Sequence, residues 1–308
     1  MLFTDRPLRL GTRGSPLALA QARLTAHALV TTHGWPQSAV EIVTVQTSGD
    51  RIQDRALADI GGKALWTKEL DRALIAGEID FSVHSMKDVE TLRPDAFSIA
   101  AMLPRADVRD KLVGVGDFAD LPANPVVGTS SPRRAAQVKR MRPDATITLF
   151  RGNVATRLAK LAAGEVHATL LAAAGLDRLD QGEVGTLIPI DMMLPAPSQG
   201  AVGIETLADN GPVVAALAAI SHADTFDAVM AERAVLAGLG GTCHSPIAAL
   251  AMVDGDALFL RAEIISPDGR ETVREEARIA RGDAAAAQAI GRALLAAASP
   301  ALASLFEG

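Results

Sequence analysis

VVGTSSPRRAAQVKRMRPDATITLFRGNVATRLAKLAAGEVHATLLA, residues 126–172, reads as strand, helix, strand, helix, strand. The strands are 126–129, 146–149 and 168–171, each a short apolar or β-branched run. Between them, 132–141 and 154–163 carry apolar residues at helical spacing. Strands that alternate with helices in this way imply a parallel sheet with crossover helices.

The same alternation extends towards the N-terminus. Leu8–Leu10 reads as a strand, and Pro16–Ala28 as a helix whose start is marked by Ser15 before Pro16. Val40–Val45 is a second strand. Trp66–Ala76 is a helix that ends at Gly77, and Ile79–Val83 is a short buried strand. Towards the C-terminus, LPAP at 194–197 precedes a returning strand, Ser198–Glu205. Two α/β units joined by hinge strands fit this pattern. The last third differs. A helix over Phe226–Ala237 is followed by β-like runs 247–253, 257–266 and 271–280, separated by Asp254-Gly255 and Pro267-Asp268-Gly269, both hairpin signals. With a final helix over about 283–298, this is a separate α+β domain with an antiparallel sheet.

Composition narrows the function classes. The chain has 308 residues, 49% of them hydrophobic, enough for two or three cores. No apolar run of eighteen residues occurs, and the N-terminus lacks the pattern of a secretory signal, so a cytoplasmic protein with no membrane partner is expected. A net charge of −6 argues against a general nucleic-acid binder. The single cysteine, Cys243, excludes an intrachain disulfide and a cysteine metal cluster, and no metal is expected.

Three strand-to-helix junctions gather cationic and hydroxyl side chains: Arg13 and Ser15; Thr129, Ser131, Arg133 and Arg134; Arg151 and Arg157, with Gly152 permitting a sharp turn. Ligands of open parallel sheets bind at the carboxyl ends of strands. Helix N-termini offer unpaired N–H groups and positive potential there. Guanidinium forks match carboxylate or phosphate oxygens. Together the junctions suggest a cleft for a polyanion, although any one arginine taken alone reads rather as a solvated or capping residue. No Walker loop is present. In FSVHSMKDVE (81–90), Lys87 and Asp88 end an apolar strand, where a carboxylate can stabilise a cation or relay a proton; a surface ion pair is the alternative. Cys243 lies in a Gly-rich loop, GLGGTCHSPIA (238–248), as an accessible thiol or a small buried residue. Residues 47–70 form a polar stretch through Gly61-Gly62-Lys63 to Trp66, a lid or simply a long loop.

The stretches GTRGSPLAL, GGKALWTKEL, HSMKDV, VVGTSSPRR, RGNVATRL, SQGAVGIE and GGTCHSPIA, in this order over residues 11–248, resemble the porphobilinogen deaminase (hydroxymethylbilane synthase) family. The resemblance implies a cytoplasmic, monomeric transferase that joins four porphobilinogen units head to tail into hydroxymethylbilane, releasing ammonia. It implies a dipyrromethane cofactor bound by a thioether to Cys243. Asp88 would be catalytic. Ser85, Lys87, Thr129, Ser131, Arg133 and Arg134 would hold the cofactor, and Arg13, Ser15, Gln21, Arg151 and Arg157 the substrate and growing chain. Lys63 would sit on the lid.

The implied fold has two periplasmic-binding-protein-like α/β domains and a smaller α+β domain with an antiparallel sheet. In this chain these would be 1–103 with 198–221, then 104–197, then 222–308. The family often has Pro where Glu90 stands and Phe at Trp66, and Thr242 and His244 depart from familiar versions of the cysteine loop. Two other readings stay open: a binding module that captures a polyanion without chemistry, and a thiol-dependent acyl- or phosphoryl-transfer enzyme.

Overall fold

A computed structural model describes residues 6–46, 64–240 and 245–306. The fold clusters into two compact units, Met1–Ala106 with Gly200–Phe226, and Asp107–Gln199 with Asp227–Gly308.

In the first unit, β1 (Leu8–Arg13), β2 (Val40–Val45), β3 (Phe81–Ser85), β4 (Phe97–Met102) and β10 (Val202–Leu207) form one sheet in the order β2-β1-β3-β10-β4. β1 is parallel to β2 and β3, whereas β10 runs antiparallel to both β3 and β4. The sheet carries helices on both faces. α1 (Pro16–His33) and α6 (Gly211–Ala218) bury Ala22, Leu29, Val213 and Leu217 against Leu10, Phe81, Val83 and Ile204. On the other face α2 (Ala64–Ile75) packs Leu70, Ala73 and Leu74 against Ile79, Val43 and Val45. The change of face between Ile42 and Val43 follows from the period of two along a strand.

The second unit holds β5 (Asp110–Val113), β6 (Val126–Gly128), α3 (Pro132–Met141), β7 (Thr146–Thr148), α4 (Val154–Ala162), β8 (Ala168–Ala172), α5 (Ala173–Asp177) and β9 (Thr186–Leu187), in sheet order β7-β6-β8-β5-β9. β6 is parallel to β7 and β8, and β5 is antiparallel to β8 and β9. The same unit contains α7 (Ala223–Gly238, from Asp227), the antiparallel sheet β11 (Ile247–Asp254), β12 (Ala257–Ile265), β13 (Thr272–Ala280), and α8 (Ala284–Ala297). Val235, Leu236 and Leu294 cover one face of this sheet over Ala249, Leu260 and Ile264. From the other face of β11, Ala248 and Leu250 pack on Leu194, with Val108 and Ile190. Burial on both faces explains why this strand reads IAALAMV, without polar alternation.

Both larger sheets are mixed, which corrects the expectation of parallel sheets. β10 enters between β3 and β4 against the direction of β3, and β4 and β5 carry no flanking helical pattern that would mark them in the sequence. The returning strand also starts later than expected, at Val202. Ser198 has φ 66°, a left-handed conformation that a strand does not accommodate, and its N–H donates to the Glu232 carboxylate at 2.6 Å. Among the described residues, no single helix is long and apolar enough to cross a membrane.

Candidate functional site

In the first unit the expected residues meet at the carboxyl ends of β1 and β3. These strands are neighbours, with Gly11 opposite Ser82, so the loops that leave them lie side by side. Arg13 closes β1 and is half-buried. Ser15 caps α1, its hydroxyl accepting from the Ala18 N–H at 3.3 Å. Two helical turns on, buried Gln21 donates its amide to the Ser85 hydroxyl at 2.8 Å, which ties α1 to the end of β3. The chain then makes one tight turn, Met86–Asp88, closed by the Val89 N–H on the Met86 carbonyl at 3.2 Å. Met86 is the buried foot of that turn, and Lys87 and Asp88 are half-buried above it. Among the described residues no hydrogen bond or ion pair engages the Asp88 carboxylate. A partly desolvated, uncommitted carboxylate at a strand end is the arrangement expected for a group that meets a cation or an N–H donor of a ligand.

Beneath this turn lies a buried polar cluster that residue spacing did not reveal. His84 Nε2 lies 2.9 Å from the Ser82 hydroxyl and 3.3 Å from Glu205 Oε2. Glu205 accepts from Arg93 Nε at 2.8 Å and Nη2 at 3.1 Å, and Arg93 also pairs with Asp71 at 2.6 Å and with Glu90. Burial opposes ionisation of Glu205, but the hydrogen bond and charge of His84 and the Arg93 guanidinium outweigh it and hold the carboxyl down at about 2. At Asp71 burial wins over the Arg93 contact, and the carboxyl is pushed up.

In the second unit the expected residues meet at the carboxyl ends of β6 and β7. Thr129 follows β6, and its hydroxyl accepts from the Ser131 N–H at 3.1 Å. Ser131 in turn caps α3 by accepting from the Arg134 N–H at 3.4 Å. Phe150 covers the end of β6: a Cβ on Gly128 would lie 2.6 Å from its ring, so glycine there lets the segment that carries Arg151 lie on the strand. Gly152, with φ 118°, then turns the chain into α4, capped by Asn153. Arg157 Nε donates back to the Gly152 carbonyl at 3.0 Å. Arg151 is half-buried, and its Nη1 is a buried donor that meets no acceptor among the described residues.

Arg133 and Arg134 stand at the head of α3, as expected, but both are buried and turned inward. They share one fully buried carboxylate, Asp110, at the start of β5. Arg133 Nη2 donates to its Oδ2 at 2.8 Å, and Arg134 Nη2 to its Oδ1 at 2.7 Å. Gln199 Nε2 adds a third donor, at 3.0 Å. Desolvation opposes the Asp110 charge, yet the two guanidiniums keep its carboxyl far below the ordinary carboxylate range. Burial pushes the Arg133 guanidinium down from its usual value. Two cations facing one anion leave a positive excess at the strand ends. Arg133 Nε meets no acceptor. Nothing in the local pattern around Asp110 marks it; the signal lay in the adjacent arginines, which need a counter-ion once the helix that bears them is packed.

Arg133 Nη1 also donates to Gln137 Oε1 at 2.9 Å, and Gln137 Nε2 to buried Glu263 Oε1 at 2.8 Å. Glu263 further accepts from Arg140 at 3.0 Å and from Arg274 at 2.5 Å, which joins α3 to β12 and β13. Lys63 and Cys243 lie outside the described residues, as does the side chain of Trp66. No cluster of three or more His, Cys, Asp or Glu suited to a metal ion occurs among the described residues.

Residues 8–215 match the family described as porphobilinogen deaminase, dipyromethane cofactor binding domain, and residues 226–298 match the porphobilinogen deaminase C-terminal domain. The porphobilinogen deaminase of Sphingopyxis alaskensis is 56% identical over 98% of this chain and 97% of its own length. That of Paracoccus denitrificans is 50% identical over 88% of each. Among solved structures, an arginine-specific periplasmic binding protein of Salmonella typhimurium covers 70% of this chain and 92% of its own, at 13% identity and a TM-score of 0.40. With both family domains matched in order along nearly the whole chain, this protein belongs to the porphobilinogen deaminase family.

Proposed function

We propose that this chain is a hydroxymethylbilane synthase, joining four porphobilinogen units head to tail with loss of ammonia on a dipyrromethane primer held through a thioether at Cys243. The observation that carries the reading is the Asp88 carboxylate, uncommitted among the described residues, at the neighbouring ends of β1 and β3. The residues present suit a ligand that bears acetate and propionate groups. The buried Nη1 of Arg151 and Nε of Arg133 are donors without acceptors, and Arg133 with Arg134 exceeds the charge of Asp110. A buried donor left unpaired costs about 1–3 kcal/mol, which an incoming carboxylate would recover. When bound, the dipyrromethane supplies the electron-rich pyrrole carbon at which chain growth starts.

The chain's own residues do the rest. Arg13, Ser15, Gln21, Arg151 and Arg157 hold the carboxylates of substrate and growing chain. Ser85, Lys87, Thr129, Ser131, Arg133 and Arg134 hold those of the cofactor. Asp88 accepts hydrogen bonds from pyrrole N–H groups. As ammonia leaves porphobilinogen, the adjoining carbon becomes electron-poor and those N–H groups more acidic. A fixed carboxylate therefore binds the transition state better than the ground state. In the same reading it takes part in the proton transfers of the condensation.

The same proposal takes Lys63 as a lid residue and the protein as a cytoplasmic monomer that binds neither nucleic acid nor membrane. It divides the chain into 1–103 with 198–221, 104–197 and 222–308, a division supported by separate apolar clusters around β1, β6 and β12. Intact-protein mass tests it. Freshly purified protein is expected to exceed its polypeptide mass by two porphobilinogen units less the ammonia lost, and a Cys243→Ser variant is not. A folded protein at bare polypeptide mass, unchanged after incubation with porphobilinogen, would leave the anion-binding module as the better reading.

A further inference from the structure

Asp88 projects from the Met86–Asp88 turn, which follows β3 directly. Strand β3 ends at Ser85, and the next strand, β4, begins at Phe97. Between them, one acidic side chain reaches out of the segment. Glu90 Oε2 accepts from the hydroxyl of Thr67 on α2 at 3.1 Å and also pairs with Arg93 Nη1. Thr67 is fully buried, and Arg93 is itself fixed by Glu205 on β10 and Asp71 on α2, with its guanidinium 4.9 Å from the Phe97 ring centroid. A side chain two residues from Asp88 is thus bonded to a helix on one face of the sheet and to an arginine anchored on that helix and on β10.

We propose that Glu90 is a positioning residue for Asp88, fixing the Met86–Asp88 turn from its C-terminal side while the Gln21–Ser85 hydrogen bond fixes it from the other. The inference rests on the reading of Asp88 as the catalytic carboxylate. Glu90 is engaged by Thr67 and Arg93, and its effect passes through the backbone of Val89 and Asp88. Its side chain is 30% exposed, and Arg93 keeps Glu205 and Asp71 without it, so its removal leaves the buried cluster charge-paired.

The test is a double-mutant cycle of Glu90→Ala and Asp88→Asn, with Glu90→Gln as the conservative variant, on the cofactor-loaded enzyme. Misplacing a catalytic group by a fraction of an ångström costs roughly tenfold or more in turnover. Glu90→Ala is expected to lower kcat by about tenfold with KM within about twofold. Glu90→Gln, whose amide oxygen accepts the same bonds, should stay close to the parent. In the Asp88→Asn background the Glu90→Ala change should cost nothing further, because the group it positions is gone. Hydrogen exchange on the protein before cofactor loading gives a readout apart from activity: the Val89 amide, which closes the turn, should exchange faster in Glu90→Ala. Full kcat in Glu90→Ala, an unchanged Val89 exchange rate, or losses that multiply in the double variant would each overturn the role of Glu90. Full turnover in Asp88→Asn alone would overturn the reading of Asp88 instead.

Discussion

Asp110→Asn is the substitution whose effect the structure sets most clearly. The carboxylate is fully buried and carries four hydrogen bonds: Arg134 Nε at 3.2 Å, Arg134 Nη2 at 2.7 Å and Gln199 Nε2 at 3.0 Å on Oδ1, and Arg133 Nη2 at 2.8 Å on Oδ2. Asparagine has the same shape but one acceptor oxygen and no charge. If its oxygen keeps the three Oδ1 contacts, its amide nitrogen faces Arg133 Nη2, donor against donor. Two buried guanidiniums are then left without a counter-ion. Removing one partner of a buried ion pair costs about 3–5 kcal/mol. For a unit of this size that corresponds to a fall in Tm of roughly 6–20 °C. Calorimetry measures it on the unit's own transition, since two compact units need not melt as one.

The electrostatic origin can be separated from loss of shape. Asp110→Asn/Arg133→Met removes one of the two cations that Asp110→Asn leaves uncompensated, and should be more stable than Asp110→Asn alone. A Tm within about 2 °C of the parent, or a double variant less stable than the single one, would show that Asp110 is not the counter-ion the geometry describes.

Two further outcomes follow from packing and titration. Glu205 has its folded carboxyl held down at about 2, below its unfolded value, so its contribution to stability is complete above pH ~4.5 and is lost as pH falls towards 2. A shift of that size is worth roughly 3 kcal/mol, and Glu205→Gln should flatten the acid limb of the stability curve read by urea melts between pH 5 and 2.5; an unaltered limb refutes the assignment. In Gly291→Ala, the added Cβ would lie 2.4 Å from the Val235 carbonyl oxygen where α8 crosses α7. The helix-propensity gain of about 1 kcal/mol is outweighed by overpacking against backbone, about 1–3 kcal/mol, so chemical denaturation should show a net loss; a more stable variant would mean the helices part at no cost.

Within the second sheet, β6, α3, β7, α4 and β8 were legible because each carries its own signal, whereas β5 and β9 were not. Pro132–Met141 has a cap, a proline start and an apolar face, and its observed bounds match the reading. β11 to β13 were legible from the glycine turns at Gly255 and Gly269, both with positive φ. The antiparallel insertion of β10 was not, because pairing direction depends on where the chain has come from, and nothing in VGIETL records that. The positions of Ser15, Gln21, Thr129 and Ser131 at strand ends and helix caps follow from local pattern and resemblance together.

What local pattern misses is the counter-charge. Arg133 and Arg134 read as two free guanidiniums aimed at a ligand, yet the residue that determines how much of their charge a ligand meets is Asp110, more than twenty positions away and on another strand. Likewise Glu90 looks like an interruption after Asp88 until Thr67 and Arg93 are placed beside it. Both cases have one cause. Burial makes an ion's partner as consequential as the ion, and partners are chosen by topology, which brings the start of antiparallel β5 beside the end of β8 and Thr67 of α2 beside Glu90. An arginine predicted from sequence to bind an anion is therefore a statement about a fold that must also decide whether to supply that anion itself. Here one internal carboxylate serves two guanidiniums and answers half of their charge.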